Sequence, residues 1–345
     1  MLLTIKPLGR IRLATTPISG PETFGSQRIL GIPPPSTILG LLGAAAGVKL
    51  DPGDVKKDPL LGISALLRAL HERGFGMPVI EGPLLRVKKN GTCWAIPIFT
   101  KEGVNLVEYE KCRRTLIEEG MVYSEARIGY ATARLEPGIA LRDTIEGSWH
   151  RVVALGYTFR RGYVQYVNAR EEKGLDVEFV YKLNLERRIR IGKRLLRLGG
   201  EGRYAIVKIE EGDLPGIASP LNAEPGTYLV LNYWPLVPRS GHALYLEKNE
   251  VIGLEPFKDP SQDIIGVPKI IKRSEGGSPA KRVIRLGLGF SEVIKQRRPQ
   301  ILALPPGTLV RLRLKASQAF PSIYKKLLKA GYASLLNLAA ELPGL

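Results

Sequence analysis

Cysteine and histidine are scarce in this 345-residue chain, which has two cysteines, Cys93 and Cys112, and three histidines. It contains neither a CxxC pair nor a cluster of His and Cys, and its acidic residues form no DxD-type pair. Zinc sites in proteins are built from clusters of that kind. The sequence therefore predicts no metal site and no cofactor.

Long apolar runs are also missing. No apolar stretch reaches the roughly 18 residues that a membrane-spanning helix needs. The chain opens on MLLTIKP, an apolar run too short for a secretory signal. We therefore expect a cytoplasmic protein with no membrane partner.

Acidic residues are too few to balance the basic ones. The chain has 33 Asp and Glu against 51 Lys and Arg, a formal net charge of +18. A positive field of this size attracts polyanions and accelerates their association. Nucleic acid is the partner that such a composition indicates, and a basic soluble enzyme is the alternative.

Helical and extended patterns alternate along the first part of the chain and predict an α+β fold. Asn90 and Gly91 separate two β-rich runs, at 83–88 and 93–99, and predict an antiparallel hairpin. The order strand, helix, hairpin, helix, strand is that of the βαββαβ ferredoxin-like fold, which is also the RRM-like fold. The other predicted segments are strands at 2–5 and 10–14, helices at 38–47, 63–73 and 108–119, and strands at 175–183 and 204–209.

Prolines break the chain into shorter segments after Gly212. We therefore predict a domain boundary after residue 212: a ferredoxin-like domain at 1–212, with insertions and a glycine-rich loop, and a second domain at 213–345. The second domain could be a degraded copy of the first, although its strand pattern does not by itself establish a repeat. In the second, the predicted segments are strands at 227–233, 282–288 and 308–314 and helices at 321–330 and 334–342.

A basic segment at 185–198 has the spacing of an amphipathic helix. On a helix, its basic residues would share one face through i, i+3 and i+4 neighbours. Such a face is suited to an RNA backbone, and a solvated surface is the alternative. These residues are Arg190, Lys193, Arg194 and Arg197.

A glycine-rich corner, LGGEGR, follows at 198–203 and ends in Arg203. Gly199, Gly200 and Gly202 lack a Cβ, so the backbone can turn with positive φ and approach a phosphate with its N–H groups. A glycine that only ends a helix is the alternative. In this prediction the glycines follow a helix and precede a strand, the reverse of a P-loop, so nucleotide hydrolysis is disfavoured.

Arginine and aromatic residues are interleaved at 160–166, RRGYVQY, which overlaps the opening of an RNP1 motif. We predict a hairpin over 151–167 with Arg160, Arg161 and Gly162 at its bend. Tyr163 would then stack a base while the arginines hold phosphates. The alternative is a hairpin whose tyrosines line the core.

Two further basic segments are candidates for RNA contact. A Gly- and Pro-rich loop at 20–35 carries Arg28, and a region at 258–298 carries Lys269, Lys272 and Arg273. For the second region, a solvated loop is an equally good interpretation. No catalytic residue is predicted, because His71, His150 and His242 all lie away from the corner in sequence.

Four motifs occur in order along the chain: PPSTILG at 34–40, RIG at 127–129, LGGEGR at 198–203 and IGVPK at 265–269. On the basis of these four motifs, roughly residues 1–300 resemble RAMP-superfamily subunits of type III CRISPR–Cas effector complexes. The chain is most similar to subunit three of the type III-B (Cmr) complex, with a type III-A or III-D counterpart as the alternative.

The resemblance implies two ferredoxin-like domains and no nuclease activity. It also implies a subunit that grips the 5′ tag of the crRNA and docks the large palm-domain subunit and the first backbone RAMP subunit. Two other functions stay open. One is a metal-independent RAMP endoribonuclease that uses His150 or His242 to process crRNA precursors. The other is a scaffold whose basic surface meets acidic subunits.

Overall fold

The computed structural model describes residues 1–11, 13, 30–88, 91–142, 152–187, 191–199, 203–238, 251–313 and 320–343. Its architecture is α+β, with mostly antiparallel sheets and few helices. The helices are α1 (Pro35–Ala45), α2 (Pro52–Lys57), α3 (Ile63–Leu70), α4 (Tyr109–Glu118), α5 (Pro260–Asp263) and α6 (Ser322–Lys329). None of the described helices is long and apolar enough to cross a membrane.

A sheet of nine strands dominates the first part of the chain, and all of its pairings are antiparallel. From edge to edge the order is β7-β6-β4-β3-β2-β8-β1-β10-β9, so β9 and β7 are the two edge strands. The strands are β1 (Leu2–Pro7), β2 (Val79–Lys88), β3 (Thr92–Thr100), β4 (Gly103–Glu108), β5 (Val122–Tyr123, outside this sheet), β6 (Arg127–Arg142), β7 (Val152–Asn168), β8 (Asp176–Asn184), β9 (Ile191–Arg197) and β10 (Tyr204–Glu210).

The chain that leaves β1 joins the two ends of this sheet. Ile11 forms an antiparallel bridge with Val164 of β7, with N···O distances of 3.2 and 2.7 Å. Leu8, three residues earlier, donates its N–H to the carbonyl of Tyr204 at 3.0 Å. The sheet therefore curls until β7 lies near the hairpin formed by β9 and β10.

The two faces of the sheet have different coverings, because side chains alternate along each strand. Leu3, Ile5 and Phe179 point into a core that also contains the apolar residues of α1 and α3. Leu84 and Val180 point the other way, into a second core that includes α4. On that second face, the part formed by β9 and β10 carries polar and exposed side chains.

The second part of the chain forms smaller sheets. Both apolar cores combine residues from before and after residue 212, so the interior is continuous across the predicted domain boundary. The assignment of two ferredoxin-like domains stays a prediction. The strands are β11 (Ile217–Ala218), β12 (Gly226–Val230), β13 (Trp234–Pro238), β14 (Val251–Ile252), β15 (Ile264–Gly266), β16 (Ile270–Ile271), β17 (Ile284–Gly287), β18 (Phe290–Ser291), β19 (Gln296–Arg297), β20 (Gln300–Leu304), β21 (Leu309–Leu312) and β22 (Leu335–Asn337).

Most elements in the first part match their predictions. The Asn-Gly hairpin forms as β2 and β3, with Lys88 opposite Thr92, and the segments predicted at 38–47, 108–119, 175–183 and 204–209 are α1, α4, β8 and β10. The helix predicted at 334–342 is wrong, because β22 occupies its start and pairs with β11 and β12. In this segment, strand pairing within a sheet determines the structure even though the residues also have helical spacing.

The basic helix predicted at 185–198 is also wrong. Its last residues form β9, which pairs antiparallel with β10, with Arg197 opposite Tyr204. The pairing register defines the strand, because Arg197 and Leu195 lie opposite Tyr204 and Ile206 while Arg194 lies opposite Val207. Pairing with β10 supplies hydrogen bonds and burial that an isolated basic helix would lack.

Candidate nucleic-acid interface

The glycine-rich corner is the turn of the β9–β10 hairpin. Leu198 donates its backbone N–H to the carbonyl of Arg203 at 2.8 Å, which closes the turn. Gly199 has φ of +76°, the left-handed conformation in which a missing Cβ is an advantage. Gly200 and Gly202 lie outside the described residues. The corner thus connects two strands, and no helix follows it as a P-loop would require.

The basic residues of β9 point to two different sides. All three are exposed, but Lys193 and Arg197 lie on one side of the strand, whereas Arg194 lies on the other and its Nη1 donates to the carbonyl of Ala45 at 3.0 Å, at the end of α1. A cation is favourable there because the C-terminus of a helix carries partial negative charge. The predicted single face of four cations is therefore wrong, since a strand alternates its side chains. Arg190 lies outside the described residues.

Lys193 and Arg197 are available to a ligand. Neither side chain makes a hydrogen bond, an ion pair or a ring contact with another residue in the described ranges. Tyr204, opposite Arg197, is 41% exposed and its ring and hydroxyl are likewise unengaged there. An exposed strand edge with two free cations and an aromatic ring can contact both the backbone and a base of RNA.

Arg203 connects the corner to β7. Its guanidinium carbon lies 4.5 Å from the centre of the Tyr163 ring, a cation–π contact. Tyr163 is only 3% exposed, so a base could stack on this ring only if Arg203 moved. The structure thus brings together two residues that the sequence placed in separate motifs, while their contact with RNA stays a prediction.

Arg160 and Arg161 are not at a bend. They lie in the middle of β7, opposite Pro137 and Glu136 of β6, and the connection between these strands falls after Arg142. The predicted hairpin over 151–167 is therefore wrong. The RRG composition suggested a turn, but pairing with a long β6 keeps this segment extended. Arg28 lies outside the described residues.

Lys269, Lys272 and Arg273 flank β16, which pairs with β5, the strand that follows α4. Val122 of β5 donates to the carbonyl of Lys269 at 3.0 Å, and β5 pairs with β16 in parallel. The guanidinium of Arg273 lies 5.7 Å from the ring of Tyr123 and 3.7 Å from the carboxylate of Glu125. This group of cations is thus partly balanced by a neighbouring carboxylate.

Sequence reasoning missed the sheet face that continues from the hairpin. Ile206 of β10 lies opposite both Leu195 and Lys6, and Lys208 lies opposite Thr4, so these residues share one face. Lys6 pairs with Asp176 at 2.6 Å. Residues 193–197 read KRLLR and residues 204–208 read YAIVK, so neither segment alternates apolar and basic residues and no simple sequence signal marks this face.

No group of three His, Cys, Asp or Glu residues that could hold a metal ion occurs among the described residues. The two histidines proposed for RNA cleavage, His150 and His242, lie outside the described ranges. The cleavage hypothesis therefore stays a prediction.

Comparison with known proteins supports the fold. No protein-family model matches the chain, and no curated protein matches it. Chains of solved structures do match it, among them two from the same kind of complex. One is a chain from the cryo-EM structure of a Type III-B Cmr-beta bound to cognate target RNA and AMPPnP, with a TM-score of 0.63 and 19% identity over 99% of this chain and 97% of that one.

The other is a chain from a structure of the Type III-B Cmr-beta bound to cognate target RNA. Its TM-score is 0.62 and its identity 20%, over 99% of both chains. The likeness covers almost the whole of each chain, so both parts of the molecule have the fold of those Cmr-beta chains.

Proposed function

We propose that this chain is a non-catalytic, crRNA-binding subunit of a type III-B CRISPR effector complex. The observation that carries the proposal is the near-complete overlap in fold with chains of Type III-B Cmr-beta. The net charge of +18 agrees with an RNA partner. The motifs at 34–40 and 198–203 support the same family.

Within that complex, the subunit holds the 5′ tag of the crRNA and docks the large palm-domain subunit and a backbone RAMP subunit. The RNA part is supported by the β9–β10 hairpin, where Lys193 and Arg197 are exposed and their side chains make no hydrogen bond, ion pair or ring contact with another described residue. The docking part is supported by the family resemblance alone. Holding the crRNA and docking the other subunits are both binding roles, which agrees with a non-catalytic subunit.

Removing the two free cations tests the RNA site. We expect Lys193→Ala with Arg197→Ala to weaken crRNA binding and to reduce the slope of log K against log salt by about 1.4, from ~0.7 per phosphate contact. The matched control is Lys56→Ala with Lys57→Ala, which removes two exposed cations from α2. The readout is fluorescence anisotropy with labelled crRNA at several salt concentrations.

An unchanged slope in the hairpin variant, or an equal change in the control, would remove the hairpin as the RNA site. The non-catalytic part is tested separately by incubating the protein with labelled repeat RNA in EDTA. We expect no cleavage. Cleavage that is abolished by His150→Ala or His242→Ala would establish the endoribonuclease instead.

A further inference from the structure

Exposed apolar side chains cluster on the same hairpin as the free cations. Leu195 is 58% exposed and Tyr204 is 41% exposed. Leu195 lies opposite Ile206 and Tyr204 lies opposite Arg197, so the four side chains share one face of the hairpin. Leu8, 52% exposed, is joined to Tyr204 by a backbone hydrogen bond. Large apolar side chains exposed together usually mark a binding surface.

The rim of this patch is positively charged. Lys193 and Arg197 are unengaged among the described residues, whereas Lys6 and Lys208 are each paired with a carboxylate, Asp176 and Glu210. A ligand that fits must therefore bring a flat or apolar group together with negative charge. Single-stranded RNA has both, in an unpaired base and its adjoining phosphate.

We propose that Tyr204 is a stacking platform for an unpaired base of the bound RNA, whose phosphates lie against Arg197 and Lys193. This inference rests on the proposed function, in which the hairpin is an RNA site. Residues directly opposite in antiparallel strands have Cβ atoms about 4.5–5.5 Å apart, so the ring of Tyr204 and the guanidinium of Arg197 serve neighbouring parts of one nucleotide.

Leu195 and Leu8 form an apolar border for the base at the side of the ring. Bases in a duplex are already stacked on one another, so the platform selects single-stranded RNA. It recognises no particular base, since each base has a flat face.

Stacking and phosphate contact respond differently to salt, and this difference is the basis of the test. We expect Tyr204→Ala to weaken binding of a labelled single-stranded RNA by about fivefold to a hundredfold. The salt slope should stay that of the wild type, because no phosphate contact is lost. Tyr204→Phe should bind as the wild type does, and the same RNA annealed to its complement should respond less to Tyr204→Ala.

Phe290→Ala is the matched control, because Phe290 is 43% exposed and also lies opposite an arginine, Arg297. We expect it to leave affinity within about twofold, the range of an ordinary surface substitution. If Tyr204→Ala lowers the folded fraction, Tyr204→Leu replaces it. That variant keeps an apolar side chain and removes the ring, and it should show the same loss.

The possible results distinguish a failure of the stacking proposal from a failure of the proposed RNA-binding function. If Tyr204→Ala and Tyr204→Leu bind normally while Lys193→Ala with Arg197→Ala flattens the salt slope, the platform is wrong and the RNA site stands. If none of these variants changes binding, the hairpin is not an RNA site. If Tyr204→Phe loses as much affinity as Tyr204→Ala, the hydroxyl acts rather than the ring, and stacking is excluded.

Discussion

Two hairpins of this protein have the same arrangement of an exposed aromatic ring opposite an arginine. In β9–β10 the pair is Tyr204 and Arg197, and in β18–β19 it is Phe290 and Arg297. The two rings are 41% and 43% exposed. By composition and position alone, either hairpin could bind RNA.

Their other cations distinguish them. In the β18–β19 hairpin, Lys295 pairs with Glu292 at 2.8 Å. Arg298 donates to the carbonyl of Phe290 at 2.8 Å and to that of Leu61 at 3.0 Å, which ties the hairpin to the segment before α3. Lys193 and Arg197 have no such partners among the described residues. The cations Lys295 and Arg298 of the β18–β19 hairpin therefore stabilise the fold, whereas Lys193 and Arg197 of the β9–β10 hairpin are available to a ligand.

The largest expected effect is on stability, at Arg298. Burial lowers the pKa of its guanidinium, and Arg298→Ala leaves two backbone carbonyls without their charged donor. We expect a loss of about 2 kcal/mol in unfolding free energy, since a hydrogen bond to a charged group contributes roughly 1.5–3 kcal/mol. The measurement is the urea midpoint at constant slope.

Arg197→Ala is the counterpart in the other hairpin and should change stability by less than about 0.5 kcal/mol, as an unengaged surface residue does. RNA affinity should show the opposite order, falling with Arg197→Ala and not with Arg298→Ala in the folded protein. If Arg197→Ala destabilised the protein as much as Arg298→Ala, the distinction between structural and available cations would fail.

Arg203 is expected to come next in magnitude. Its contact with the buried Tyr163 ring should contribute about 1–2 kcal/mol, the range for a cation–π pair that is partly removed from water. We expect Arg203→Ala to lower the unfolding free energy by that amount, and Arg203→Lys to lower it less. A double-mutant cycle with Tyr163→Leu should show coupling between the two residues; strict additivity would contradict the contact.

Gly199 tests the turn between the strands. At φ of +76°, Gly199→Ala places a Cβ in the left-handed region and should cost about 1 kcal/mol. Gly192 in β9 is the control, since a Cβ there meets nothing within 4 Å. We expect Gly192→Ala to be neutral in the same urea titration. An equal cost at both positions would mean that the conformation of the turn is not the cause.

The sequence correctly predicted those elements in which local sequence preference and tertiary packing favour the same structure. The hairpin at Asn90-Gly91 and the buried helix α1 are examples, because turn chemistry and small apolar residues each favoured one structure. Segment 185–198 was different, since its residues have the spacing of a helix face and yet its last part forms a strand. Only the pairing of β9 with β10, a contact between separate segments, decides between them.

The candidate site was predictable in part for the same reason. Lys193 and Arg197 were identified from their spacing on a predicted helix; the structure places both on an exposed strand, and their contact with RNA stays a prediction. Whether a cation is available depends on partners far away in sequence, such as Ala45 for Arg194 and Tyr163 for Arg203. The sequence identified Tyr204 only as part of a strand. Its exposure could not be predicted, because it depends on the position of β10 next to the edge strand β9.

The smallest expected effect concerns the ion pair of the β18–β19 hairpin. Glu292→Gln releases Lys295 from its carboxylate, and if free cations alone made an RNA site, affinity would rise strongly. We expect a rise of less than about twofold, because an exposed ion pair is worth only about 0.2–1 kcal/mol and Arg298 remains bonded to the backbone. Glu110→Gln on α4 makes the same charge change elsewhere and is the control. A tenfold rise in crRNA affinity confined to Glu292→Gln would place the RNA at the β18–β19 hairpin as well.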